Sequence, residues 1–113
     1  MTDEIMNVLY SSLNGLMTQQ RVIADNISNV STPGYQAKSV DFETALRDAV
    51  SQGTSPAADP SVVSYTGDPS KQDGNNVNLD AETVAATQNT LQYQAVTEAV
   101  NARFQLLRTA MGA

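Results

Sequence analysis

Both ends of this chain carry apolar residues at the spacing of a long helix, and the middle does not. In the first 31 residues the apolar positions advance by alternating steps of four and three, with Gln20 as one polar member of the row. The row consists of Leu9, Leu13, Leu16, Ile23, Ile27 and Val30. A heptad row favours a helix that buries one stripe against another helix, and it does not fit the two-residue period of a strand. We therefore predict an N-terminal helix over residues 1–31.

The C-terminal end repeats this arrangement over residues 80–111. Its main row consists of Tyr93, Val96, Val100, Phe104, Leu107 and Met111. A second apolar row lies beside it and consists of Val84, Leu91, Ala95, Ala102 and Leu106. This helix has more apolar surface than one neighbouring helix covers, and long exposed apolar stripes usually mark association. We expect the isolated chain to be weakly helical and to become ordered on assembly, although a stable monomeric hairpin with a loose loop is an alternative.

The segment between the helices is rich in residues that interrupt regular structure. Pro33-Gly34 predicts a turn over residues 32–40, and the apolar face that includes Phe42 predicts a short helix over 41–51, with Asp41 as its N-cap. Eleven of the 26 residues from 51 to 76 are Pro, Gly or Ser, which predicts a flexible or irregular loop over 52–79. The predicted fold is a single all-α domain over residues 1–113. Its two long terminal helices form a coiled-coil-like hairpin, with a short helix after the Pro-Gly turn and an irregular or disordered middle.

The composition excludes most enzyme chemistry. The chain has no His and no Cys, so it has no Ser-His-Asp triad, no Cys-His pair and no zinc site of the usual kind. A net charge of −6 argues against a nucleic-acid or anionic-membrane partner. The polar surface comes instead from 39 neutral Asn, Gln, Ser and Thr residues, which repel sister copies little. We predict no enzyme activity and no cofactor.

No segment of the sequence has the pattern of a membrane span or a cleaved signal. No window approaches 18 consecutive apolar residues, so no membrane insertion is expected. The first residues lack a cationic region followed by an apolar run, which predicts that no secretory signal peptide is cleaved.

Residues 73–80, Asp-Gly-Asn-Asn-Val-Asn-Leu-Asp, have the oxygen-rich composition of a calcium loop. The order is wrong for an EF-hand, because the glycine is second rather than sixth and the twelfth position, Val84, cannot bind a cation. We predict no metal site. A turn followed by the start of the last helix, capped by Asn78 or Asp80, explains the same residues.

The most distinctive cluster lies where the first helix is expected to end. It consists of Asn26, Asn29, Thr32, Pro33, Gly34 and Tyr35. Asparagine at a helix end bonds free carbonyl groups, proline prevents the helix from continuing, and Gly34 allows a positive φ. No nucleophile–base pair accompanies these residues, so the pattern predicts a structural helix stop rather than a catalytic site.

Residues 25–35, Asp-Asn-Ile-Ser-Asn-Val-Ser-Thr-Pro-Gly-Tyr, resemble the N-terminal motif of the bacterial flagellar rod, hook and hook-associated proteins. Residues 38–42, Lys-Ser-Val-Asp-Phe, resemble the segment that follows this motif in the proximal-rod branch of that family. Residues 73–80 and 89–111 resemble the entry into the C-terminal helix and its end in the same branch. The resemblance covers most of the chain except residues 51–72.

The resemblance implies a structural subunit of the proximal flagellar basal-body rod that supports motility. Such subunits leave the cell through the flagellar type III export gate without a cleaved signal, and their terminal helices build the coiled-coil inner tube. The implied location is the basal body, in the rod on the periplasmic or cell-envelope side. The implied partners are the export gate, other rod subunits, the rod-to-ring adaptor and copies of the chain itself.

Two other functions remain open on the sequence. A small secreted helical hairpin of the WxG type has a similar length and two helices, but that family's turn carries a tryptophan and this chain has none. A cytoplasmic coiled-coil adaptor would also contain heptad rows. Fractionation separates these functions, because a rod protein co-purifies with hook–basal bodies and an adaptor stays soluble.

Overall fold

The structure, a computed structural model, describes residues 2–51 and 63–112. Its elements in chain order are α1 (Thr2–Ser28), β1 (Lys38–Val40), α2 (Phe42–Ser51), β2 (Val63–Tyr65) and α3 (Leu79–Gly112). The predicted all-α architecture, with two long terminal helices and a short helix between them, is confirmed. Two strands of three residues each were not predicted. Of the loop predicted over 52–79, residues 52–62 lie outside the described residues, and the remainder contains β2 and an ordered loop.

Helices α1 and α3 pack side by side in opposite directions. Asn26, near the end of α1, contacts Glu82 at the start of α3, and Asn89 further along α3 contacts Leu16 and Gln20 further back on α1. Among the residues whose side chains the structure describes, the buried apolar ones are Met6, Leu16, Val22, Ile23, Ala37, Val77 and Val100. The molecule extends over 65 × 27 × 14 Å, so it is about one helix thick and has little interior.

Helix α1 ends at Ser28, three residues before the predicted end, because Asn29 closes its last turn. The Asn29 side-chain amide donates to the Asp25 carbonyl at 2.8 Å, and its backbone N–H donates to the same carbonyl at 3.1 Å. The carbonyl groups of the last turn have no partner within a helix, and an asparagine that bonds one of them stabilises the stop. Val30 therefore lies in the turn rather than in the helical row.

Helix α2 lies against α1 through an unusually close contact. Gly15 is buried in the middle of α1, and the Phe42 ring occupies the space where a side chain at position 15 would begin. Asp41 accepts a hydrogen bond from the Thr44 backbone N–H at 3.4 Å, which is the N-cap arrangement expected from the sequence. The glycine thus allows an aromatic ring to contact the helix backbone directly.

Strands β1 and β2 form an antiparallel pair that places residues 63–66 beside the end of α1. Lys38 pairs with Tyr65, and the Lys38 ammonium lies 5.8 Å from the centre of the Tyr65 ring. The Thr66 backbone N–H extends the pair by donating to the Ala37 carbonyl at 3.0 Å. Strands this short contain too few residues to show a two-residue period in the sequence.

Helix α3 starts at an asparagine cap, and several of its threonine hydroxyls bond carbonyl groups of the same helix. Asn78, one of the two predicted caps, accepts a hydrogen bond from the Ala81 backbone N–H at 3.1 Å. Thr83, Thr87, Thr90 and Thr97 each donate to the carbonyl four residues earlier. Each of these four hydroxyls therefore finds its hydrogen-bond acceptor within α3 itself. None of the described helices combines the length and apolar character needed to cross a bilayer.

Candidate functional site

The predicted apolar row of α1 mostly faces α3, whereas that of α3 is open toward its C-terminal end. On α1, Leu16 and Ile23 are buried, and Leu9, Leu13 and Ile27 are half-buried. On α3, Val100 is buried, Val96 and Leu107 are half-buried, and Tyr93, Phe104 and Met111 are exposed. Met111 is 85% exposed, so the last turns of α3 carry apolar side chains that this chain does not cover.

The second apolar row of α3 forms a continuous surface that we call the outer face: Val84, Leu91, Ala95, Ala102 and Leu106. Every one of these residues is exposed, and the three large side chains are 58–61% exposed. At 3.6 residues per turn, the row lies on the side of α3 opposite Asn89 and Val100, which face α1. Helix α3 is therefore apolar on two opposite sides, only one of which is used within the chain.

Asn26 is the centre of the predicted helix-stop cluster and is 1% exposed. Its amide nitrogen donates to the Lys38 carbonyl at 2.7 Å and to a Glu82 carboxylate oxygen at 3.0 Å. Its oxygen accepts from the Lys38 N–H at 3.1 Å and from the Tyr35 hydroxyl at 3.3 Å. One side chain thus joins the end of α1, strand β1, the turn and the start of α3, and its full hydrogen-bonding capacity is used.

Asn75 ties the loop before α3 to the end of α1 and is fully buried. Its amide nitrogen donates to the Asn29 and Thr32 carbonyls, both at 2.8 Å. Its oxygen accepts from the Val77 backbone N–H, also at 2.8 Å. Two carbonyls of the turn that follows α1 therefore bond a residue more than 40 positions away in the chain.

Asn76 connects the same loop, which precedes α3, to the strand pair. Its oxygen accepts from the Ala37 N–H at 2.6 Å, its amide donates to the Asp68 carbonyl at 3.1 Å, and its backbone N–H donates to the Tyr35 carbonyl at 3.3 Å. Together, Asn26, residues 29–37 and residues 71–78 form one hydrogen-bonded unit, which we call the junction. It sets where α3 begins relative to where α1 ends.

Two glycines bring the two halves of the junction into backbone contact. Gly34 has a φ of 76° and donates its N–H to the Asp73 carbonyl at 2.9 Å. Gly74 has a φ of 85°, and a Cβ added there would lie 3.3 Å from the Gly34 Cα. The Pro-Gly turn thus has the positive φ expected from its sequence, and its partner is a second glycine turn.

The sequence singled out six helix-stop residues, and the structure places five of them in contacts at the junction. Thr32 donates its hydroxyl to the Asn29 side-chain oxygen at 3.0 Å, while Pro33 is exposed. Asn75, Asn76 and Asn89 are all buried and were not predicted to have a role. No local pattern points to them, because they bond groups 39 to 73 positions away in the chain.

Burial and nearby acidic groups perturb two ionisable side chains at the junction. Burial raises the pKa of Glu82, and Asp68 raises it further, whereas the hydrogen bond from Asn26 lowers it. Burial also raises the pKa of the Tyr35 hydroxyl, to which Asp25 and Glu82 add by repelling the phenolate. Tyr35 therefore remains protonated and able to donate to Asn26.

The raised pKa of Glu82 predicts that this side chain contributes more to the stability of the fold as the pH falls. Between the ordinary glutamate pKa and the raised value, the folded state binds more protons than the unfolded state, so stability decreases as pH rises through this window. We expect Glu82→Gln to remove this part of the pH dependence and to keep an oxygen for Asn26. Urea titrations at several pH values, followed by circular dichroism, measure the slope. An unchanged slope in the variant would contradict the prediction.

The arrangement is suited to holding two helices together rather than to chemistry. In the described ranges, no group of three or more acidic side chains lies close enough to hold a metal ion. Asp73, Asn75 and Asn76 of the loop considered as a calcium site use side-chain oxygens to accept hydrogen bonds from backbone N–H groups. The loop therefore works as part of the junction.

The sequence is similar to that of known proteins over most of its length. A family model described as flagella basal body rod protein matches residues 6–36, which include the helix-stop cluster. The flagellar basal body rod protein FlgB of Bacillus subtilis is 34% identical over 115 residues, covering 91% of this chain and 89% of the relative. The FlgB proteins of Escherichia coli and Cereibacter sphaeroides are 29% and 30% identical, covering 91% and 83% of this chain and 89% and 83% of those relatives.

The paired terminal helices, the junction and these relatives define a structural protein of the flagellar basal-body rod rather than an enzyme. Within that class, the chain belongs to the FlgB family of flagellar basal body rod proteins. The family places it in the flagellar basal body, where it assembles with other rod components. The secreted hairpin and the cytoplasmic adaptor are not favoured by these comparisons.

Proposed function

We propose that the chain is a proximal-rod subunit that passes through the flagellar export gate without loss of a signal peptide and is required for motility. In the rod it contacts neighbouring subunits, copies of itself and the rod-to-ring adaptor through its two terminal helices. The observation that carries this proposal is the two-sided apolar surface of α3, with the outer face left exposed in the single chain. Apolar surface of this extent gains about 25 cal/mol for each Å² removed from water, which favours assembly.

The apolar rows and the junction have different roles in this proposal. The rows supply the surface that is buried between helices: Leu9, Leu13, Leu16, Ile23 and Ile27 near the N-terminus, and Tyr93, Val96, Val100, Phe104, Leu107 and Met111 near the C-terminus. The junction fixes the relative position of α1 and α3, because Asn26 and Asn75 bond groups from both ends of the chain. A fixed register allows every copy to present the same surface, as a regular assembly requires.

We expect a carboxylate in either apolar row to block assembly. Leu13→Asp and Leu107→Asp each place a charge at a half-buried apolar position, where an unpaired charge costs several kcal/mol. In a bacterium that lacks its own copy of the protein, both variants should be synthesised. Their recovery in purified hook–basal bodies, and the swimming of the cells, should fall by at least about tenfold.

Asn14→Asp is the matched control, because position 14 is exposed and adjacent to Leu13. It should enter basal bodies and restore swimming like the unaltered chain. Normal incorporation of both leucine variants would contradict the assigned role of the rows. Absence of the unaltered chain from hook–basal bodies would contradict the rod function itself.

A further inference from the structure

A buried hydrogen-bond acceptor without a partner lies between the two long helices. Asn89 is 3% exposed, and its amide nitrogen donates to the Leu16 carbonyl at 3.2 Å and to the Gln20 side-chain oxygen at 2.9 Å. Its own oxygen accepts no hydrogen bond within the described residues. A buried acceptor left unpaired costs about 1–3 kcal/mol, so the packing of α1 against α3 is not fully satisfied at this point in the single chain.

Asn89 borders an open groove of about 520 Å³ between α1 and α3. Met17 and Tyr93 contribute apolar walls that are 50% and 38% exposed. Arg21 is the one charged residue that lines this groove, and it makes no ion pair with any residue that the structure describes. The groove therefore offers apolar walls and one cation.

The outer face of α3 has the complementary properties. Its apolar residues continue along the helix for several turns, and Glu98 is the one charge within the row. Glu98 is exposed and, like Arg21, has no ion-pair partner in the described part of the chain. Gln88 and Gln105 lie along the same side of the helix, and their amide groups provide N–H donors.

We propose that the groove receives the outer face of α3 from a second copy of this chain, with Glu98 of one copy against Arg21 of the other. Charge complementarity selects this occupant, since the single charge of the groove is opposite in sign to the single charge of the face. The contact joins two different surfaces, so each copy keeps one unused groove and one unused face, and the arrangement propagates.

This inference rests on the proposed rod function and specifies which surfaces of two copies meet. Exchanging the charges at Arg21 and Glu98 tests the proposed contact on the purified full chain. Arg21→Glu and Glu98→Arg should each weaken self-association about tenfold in sedimentation equilibrium, because like charges then face each other, and the double variant should restore it. Arg108→Glu is the control for Arg21→Glu, since it changes the net charge by the same amount at an exposed site outside the groove. All four variants should keep the same circular dichroism spectrum, because the altered side chains are exposed.

Cysteine cross-linking tests the same contact in assembled basal bodies, and the chain has no native cysteine to interfere. Met17→Cys, expressed together with a separate chain that carries Ala95→Cys or Ala102→Cys, should give a disulfide-linked dimer on oxidation, because these outer-face positions lie about as far from Glu98 as Met17 lies from Arg21. Each of these variants expressed alone should give none, because the contact joins groove to face and never like to like.

Several outcomes would overturn the inference. These are unchanged self-association in both single charge variants, failure of the double variant to restore it, a dimer from one cysteine variant alone, or cross-linking to a different protein. If Arg21→Glu enters basal bodies normally while Leu13→Asp does not, this contact is wrong and the rod function stands.

Discussion

Replacing Asn26 by leucine is expected to lower the free energy of unfolding by about 3–5 kcal/mol, the largest effect of any single side chain at the junction. Leucine has a similar size but no polar group. The substitution removes four hydrogen bonds at once and leaves the Lys38 N–H and carbonyl, the Tyr35 hydroxyl and the Glu82 carboxylate without this partner. Since position 26 is 1% exposed, water cannot replace the lost bonds without opening the packing of α1 and α3.

Urea unfolding followed by far-ultraviolet circular dichroism measures the Asn26 effect, with a stabilising osmolyte added because we expect the isolated chain to be weakly helical. Asn29→Ala is the comparison, because the Asn29 side chain bonds only groups of its own turn and the residue is partly exposed. Asn29→Ala should lower the free energy of unfolding by about 1 kcal/mol or less. Equal costs for the two variants would show that the contacts across the junction add nothing to those within the turn.

Introducing a methyl group at Gly15 is expected to destabilise the chain by about 2–3 kcal/mol, although alanine is the better helix former by about 1 kcal/mol. The Phe42 ring already occupies the position of the new Cβ, so the ring and α2 must move away from α1. We expect hydrogen exchange in α2 to become faster while exchange in the centre of α3 changes little, because α2 lies at the contact.

The Phe42→Ala background provides the control for position 15. With the ring removed, Gly15→Ala should become stabilising by about 0.5–1 kcal/mol, because only the helix propensity then remains. Denaturant unfolding of the four proteins completes this double-mutant cycle. A destabilisation by Gly15→Ala of the same size in both backgrounds would show that the ring does not cause it.

The helices were predictable because helical periodicity depends on neighbours three and four residues apart. The rows beginning at Leu9 and Tyr93, the Asp41 cap and the positive φ of Gly34 all follow from such local relations. The strands were not predictable, because each has three residues and is stabilised by its partner and by the adjacent junction. The end of α1 was placed three residues too late, because the apolar row continues to Val30 while the Asn29 amide closes the helix.

The candidate site was predictable in part. The Asn26 to Tyr35 segment stood out because proline, glycine and asparagine have strong local conformational preferences. Asn75 and Asn76 did not, since their partners lie 39–46 positions away and no local pattern points to them. The sequence also gave no indication that Phe42 contacts the backbone of α1 at Gly15.

By itself, the sequence determined that the chain is helical at both ends, that it lacks the groups needed for common catalysis, and that it resembles the flagellar axial proteins. These properties depend on local spacing, residue types and motif order, all of which are written along the chain. Only the tertiary structure decided which side of α3 faces α1, which asparagines join the two ends, and where an acceptor stays unpaired. Those features depend on contacts between residues up to 73 positions apart, such as Asn89 with Leu16, whose geometry exists only after the helices have packed.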